Sequence, residues 1–207
     1  MKRRRQIRTV LAYLLLAGGA FFLYRGIHEY LGSRLGQTTA EQEFENPVPV
    51  PPPEAVAPNQ HIHIPRGTTV AKLILPRQGK QLYVVEGVDH ADLRLGPGHM
   101  PGSALPGADG NCIIAGHRDT HFRVLKDIRQ GDDIVLETRT GEFLYRVKTM
   151  HIVSPTDTAS LQPSNGPVLH LITCYPFYYL GSAPKRFVVD AELAGALDAS
   201  LPLKPHS

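Results

Sequence analysis

Apolar residues follow two different patterns along this chain. Between Val10 and Tyr24 the run VLAYLLLAGGAFFLY carries no charge, whereas beyond residue 65 apolar residues return in short clusters punctuated by Gly, Pro, Asn and Asp. The first pattern predicts a membrane helix of roughly 22 Å. That falls short of the roughly 30 Å hydrocarbon core, but Arg8 and Arg25 can snorkel outward at its two ends. The second pattern predicts strands at 69–76, 81–87, 111–117, 133–138, 142–153, 168–174 and 186–193, all rich in β-branched and aromatic residues. TRTG between two of them predicts a hairpin turn. Only 89–96, 121–128 and 156–161 read as helical, each for a turn or two. Many short strands around single-turn helices predict a mainly β domain, either a closed barrel or a sandwich.

The flanks of the apolar run set its direction. MKRRRQIR is strongly basic, which places the N-terminus in the cytoplasm and everything after Arg25 outside it. Ala17, Gly18, Gly19 and Ala20 leave a cleaved signal peptide as the competing reading, and both readings export the domain. The stretch from Tyr24 to Asn46 can continue as a short amphipathic helix at the membrane surface. PVPVPPPEAVAP then predicts a polyproline II spacer rising about 3.1 Å per residue, with disorder as its alternative. The expected organisation is a cytoplasmic flank and anchor over 1–27, a membrane-proximal segment and linker over 28–60, a folded domain over 61–195, and a tail over 196–207.

Composition narrows the class. A chain of 207 residues with 42% hydrophobic and 20% charged residues can bury one full core with something attached. The net charge of +3 comes from basic residues gathered at the extreme N-terminus, which gives nucleic-acid binding no support. Cys112 and Cys174 are too few for a disulfide framework. A single bridge stays formally open in an exported domain, although each cysteine belongs to a different strand.

Cys174 ends the apolar run in LHLITCYPFYYLG, where it is either a small core residue or a nucleophile. A nucleophile needs a base and a group to stabilise developing charge. His170 shares its strand and face but stands roughly 13 Å away, too far to serve. His117, His121 and His151 remain. His117 ends NCIIAGH, where Gly116 lets the backbone turn sharply at a strand terminus. His121 opens a short helix behind Asp119 or Thr120 as N-cap, and His151 lies within a long strand as a packed or solvated residue. Arg186 begins the next strand after Cys174. A loop folding back would set it beside the sulfur, able to favour a thiolate and hold an oxyanion, unless it is simply a structural arginine. Thr173 can lend hydroxyl or backbone to a substrate or only pack. Tyr175, Phe177, Tyr178 and Tyr179 wall a peptide groove or cap a barrel end. His61 and His63 are too few for a metal site, and no metal or cofactor is expected.

Three segments, GHRDTHF, LITCYPF and APKRFVV, in this order and at these separations, resemble the catalytic segments of sortases, the membrane-anchored cysteine transpeptidases. Residues 93–122 most resemble class D sortases and their Gram-negative relatives, and the resemblance extends over residues 65–193. It implies a closed eight-stranded β-barrel with the cysteine at the end of the seventh strand and the arginine on the eighth. It further implies Cys174 as nucleophile, His117 as general acid and base, and Arg186 as oxyanion and substrate stabiliser. The loop 154–166 would help to read the substrate. The implied partners are exported proteins with a C-terminal LPXTG-like sorting signal, an amine acceptor, and the lipid bilayer. The implied location is the cytoplasmic membrane, single-pass, with the catalytic domain outside. Two alternatives remain: a hydrolytic cysteine peptidase, although papain-like enzymes place Cys before His in the chain, and a tethered binding module without chemistry.

Overall fold

The computed structural model describes residues 2–45, 64–158, 162, 164, 166–179 and 181–197. Eight strands follow a long first helix: α1 (Lys2–Glu45), β1 (Thr69–Leu75), β2 (Lys80–Glu86), α2 (His90–Leu95), β3 (Gly98–His99), β4 (Gly110–Gly116), β5 (Asp133–Thr138), β6 (Gly141–Val153), β7 (Pro167–Tyr175) and β8 (Lys185–Leu197). They close in the order β1-β2-β3-β4-β7-β8-β6-β5. Closure pairs β1 with β5 through Leu73↔Leu136, so the expected barrel forms rather than the sandwich.

Period-2 alternation explains the interior. In β1, Thr69, Ala71, Leu73 and Leu75 point inward and their neighbours lie half-buried. Facing strands add Ile114, Ile134, Leu136, Tyr145, Leu169, Leu171 and Val189, and Phe122 plugs the core from the 3-10 helix His121–Asp127. All seven strands read from the apolar pattern are present, each within a few residues of its expected bounds. The eighth, β3, is the two-residue pair Gly98–His99, with no apolar periodicity to announce it. It is held by chemistry instead. His99 Nδ1 lies 2.6 Å from Glu86 Oε2, and its Nε2 lies 3.0 Å from the carbonyl of Ala104, with both side chains buried. A carbonyl only accepts, so Nε2 carries a hydrogen.

Of the three expected short helices, 89–96 is α2, and 121–128 is the 3-10 helix over His121–Asp127. At 156–161 the described part shows only a turn, with Asp157 N–H donating to Ser154 O; residues 159–161 lie outside the described residues. So do the Pro-rich spacer, His61 and His63.

α1 departs from the expected surface-lying segment. It is one continuous helix whose apolar stretch, Arg8–His28, is long enough to cross a bilayer. Its last turns dock on the barrel instead of lying flat. The reason is a gap in the sheet: β2 pairs with β3 only at Val85 and Glu86, leaving the outer backbone groups of Tyr83 to be satisfied otherwise. Gln37 supplies both, accepting from Tyr83 N at 2.8 Å and donating to Tyr83 O at 2.9 Å. Around it Ala40 is 3% exposed, Thr69 Oγ1 donates to Ala40 O, and Phe44 packs on the Tyr83 ring. Burial and the neighbouring Glu41 push the Tyr83 phenol up to about 12.

Candidate active site

β4 and β7 run parallel as neighbours, with Gly116 opposite Thr173 at the end of their shared register. The next residues, His117 and Cys174, therefore leave adjacent strands at one level, with strand axes about 4.8 Å apart. β8 lies on the other side of β7, antiparallel, with Arg186 directly opposite Cys174. Histidine, cysteine and arginine thus come from three neighbouring strand ends at one rim. Alternation sets their direction: Thr173 points inward, 2% exposed, so Cys174 and Arg186 face outward, where both are half-buried.

Thr173, a candidate substrate contact, spends its hydroxyl inside the barrel, donating to Gly116 O at 2.7 Å. Its side chain ties the end of β4 to β7 rather than facing a peptide. Gly116 itself admits no side chain, because an added Cβ would come 2.7 Å from the Phe122 ring. Phe122 N–H in turn donates to His117 O at 3.0 Å, which fixes the backbone that carries the imidazole.

The other histidines separate cleanly. His170 and His151 both present Nδ1 to Asp190, at 2.7 and 3.2 Å, on the outer face of β6, β7 and β8. His121 is buried, and burial together with nearby His117 pushes its pKa down to about 4, so it is neutral near pH 7. Thr120 occupies the cap position of the 3-10 helix without a side-chain cap bond, and Asp119 is exposed beside His121. One histidine at the rim had no expected role: His90 of α2 meets the His117 ring at 5.8 Å between centroids, 62° between planes. No spacing in the sequence marks that encounter.

The aromatic run after Cys174 splits in two. Tyr175, half-buried, stacks on Phe187 at 6.4 Å, and Phe177 joins both rings while packing on the barrel core. Tyr178 and Tyr179 face solvent, under the guanidinium groups of Arg123 and Arg118. Arg118 also donates to the carbonyls of Tyr179 and Gly181, tying the residue after His117 to the β7–β8 loop. A hydrogen bond from Arg123, and the charge of Lys126, hold the Tyr178 phenol below its ordinary range.

Both cysteines are free thiols. Cys112 lies in the core, where burial pushes its pKa up to about 12, which makes it inert beside Cys174. Among the described residues, no three His, Cys, Asp or Glu side chains are grouped to hold a metal ion.

Fold and site together define a class: closed β-barrels that gather cysteine, histidine and arginine at one rim. Residues 73–194 match the Sortase domain family, and the chain belongs to that family. It is 40% identical over 119 residues to Sortase D of Bacillus subtilis (strain 168), covering 56% of this chain and 60% of that protein. It is 34% identical over 87 residues to Sortase SrtE1 of Streptomyces coelicolor, covering 36% of this chain and 25% of that one. The chain therefore spans less than two thirds of these curated relatives. Among solved structures, a Clostridium perfringens Sortase D5 transpeptidase shares the fold with a TM-score of 0.62 at 24% identity, covering 79% of this chain and 99% of that one. The catalytic domain of Bacillus anthracis SrtD superposes with a TM-score of 0.55 at 31% identity, covering 70% of this chain and 97% of that domain.

Proposed function

We propose that the chain is a membrane-anchored cysteine transpeptidase acting on exported proteins that end in an LPXTG-like sorting signal. The observation that carries this reading is the register across β4, β7 and β8, which sets His117, Cys174 and Arg186 on adjacent strands. Membership of the sortase family supports it.

In the proposed reaction the Cys174 thiolate, its proton passed to His117, attacks a backbone carbonyl of the signal. The carbonyl electrons move to oxygen, and the Arg186 guanidinium stabilises the oxyanion. As the tetrahedral intermediate collapses, the amide C–N bond breaks and His117 protonates the departing nitrogen. A thioester on Cys174 remains. An acceptor amine then attacks it, His117 takes the amine proton, and the Cys174 thiolate leaves as a new amide forms, which restores the starting pair. The thioester conserves the peptide bond energy, so no ATP is consumed. Tyr175, at the same rim, would line the peptide path, and Thr173 would act by holding the β4 end in place.

Residues 1–27 would be the cytoplasmic flank and anchor, 28–60 the membrane-proximal segment, 61–195 the catalytic barrel and 196–207 the tail, with the last turns of α1 acting as part of the barrel. The protein would sit in the cytoplasmic membrane with its N-terminus inside.

The test is to incubate the full chain in detergent with an LPXTG-like peptide, with and without an amine acceptor, and follow products by intact-mass spectrometry. The expected result is a thioester adduct and amine-dependent ligation, both lost in Cys174→Ala. An adduct that persists on the Ala variant removes Cys174 as nucleophile. Product formation indifferent to amine points to a hydrolytic peptidase.

A further inference from the structure

α2 is only six residues long, too short to persist on its own. Its first turn is fixed by the reciprocal capping box between Asp89 and Asp92. Its far end is fixed by α1: Gln37 Nε2 donates to Leu95 O at 2.9 Å, and a Cβ added to Gly36 would come 2.5 Å from Leu95 Cα. His90, the first residue of α2, is exposed, and its ring meets the His117 ring edge to face. An unbroken line of contacts therefore runs from the apolar helix through α2 to His117.

We propose that His90 is a positioning residue for His117, kept in place by the docking of α1 on α2. The proposal rests on the role assigned to His117 above. The imidazole torsion χ2 is broad, with no steep well of its own. Proton delivery to a leaving nitrogen needs the ring in one orientation, and an edge-to-face neighbour narrows the choice. Because His90 is exposed, its replacement leaves the barrel interior untouched.

The experiment uses the full chain in lipid nanodiscs, comparing native protein with His90→Ala, His90→Phe and Gln37→Ala. Peptide-to-amine transfer is measured for kcat and KM, and the His117 ring protons are observed by NMR without substrate. His90→Ala is expected to lower kcat about 2–10-fold with little change in peptide KM. His90→Phe restores the ring and most of kcat. The ring-proton shifts of His117, which feel the neighbouring ring, move in His90→Ala and return toward native in His90→Phe, which a merely structural brace would not do. Gln37→Ala lowers kcat in the same direction. Unchanged kcat and unchanged His117 ring shifts in His90→Ala overturn the proposal, as does an equal loss in the Ala and Phe variants. Native kcat in Gln37→Ala overturns the part assigned to α1. Full transfer by His117→Ala would instead sink the proposed function, while the substrate-free spectra of the native and His90 variants would still report the contact between the rings.

Discussion

The side-chain amide of Gln37 exchanges two hydrogen bonds with the backbone of Tyr83, at 2.8 and 2.9 Å, standing in for the strand that β2 lacks at that point. Helix α1 is thereby joined to the sheet by the same pairing that joins strands to one another. Replacing Gln37 with Ala strips partners from three backbone groups, Tyr83 N–H and the carbonyls of Tyr83 and Leu95, at about 1–3 kcal/mol. Urea unfolding of the full chain should show a lower midpoint. A midpoint equal to that of the native protein would mean that water replaces the amide without loss.

Glu86 and His99 form a buried pair at 2.6 Å, and the pair is what holds the two-residue β3 in the barrel. Glu86→Gln weakens the buried hydrogen bond to His99 Nδ1, at about 1.5–3 kcal/mol. The thermal midpoint should fall by at least about 3 °C. A fall within about 1 °C would show that other contacts hold β3 in place.

Thr173→Val keeps shape while deleting the hydroxyl that binds Gly116 O. Stability should drop by about 1–2 kcal/mol. Transfer should lose kcat with little change in peptide KM, because the tie sets where His117 stands and not what the peptide touches. An altered KM at native kcat would restore Thr173 as a direct substrate contact.

His121 makes the fold acid-sensitive. Its folded pKa, about 4, lies below the ordinary 6.5, so between those values the unfolded chain binds a proton that the folded barrel refuses. Its contribution is intact above pH 6.5 and is lost progressively as pH falls toward 4, by up to about 3 kcal/mol. Urea midpoints at pH 7.5 and 4.5 should diverge more for the native chain than for His121→Phe. Equal divergence would place the acid sensitivity elsewhere.

The strands of the barrel were legible because their apolar residues alternate or cluster: TVAKLIL and DIVLET announce themselves by side chain alone. β3 was not, since GH carries no periodicity and depends on a buried hydrogen bond with Glu86, thirteen residues away. The candidate triad was legible through three short motifs, and the register then set those motifs side by side. Thr173 was harder: only its inward direction and the Gly116 carbonyl separate a brace from a substrate contact. His90 was invisible because its encounter with His117 depends on how a six-residue helix is seated by α1. The length of α1 was misjudged for a related reason. Its polar last turns read as a surface segment until the unsatisfied edge of β2 gives Gln37 and Ala40 something to cover.

In the proposed membrane arrangement, α1 would run unbroken from the bilayer into the docked barrel and act as a mast and not as a tether. From His28 to Gln37 the rise is about 14 Å, so the rim would be carried at a set height and heading, unable to swing outward. Clients would have to bring their cleavage points to that level near the lipid, and lengthening the mast by whole helical turns should shift which of them are reached.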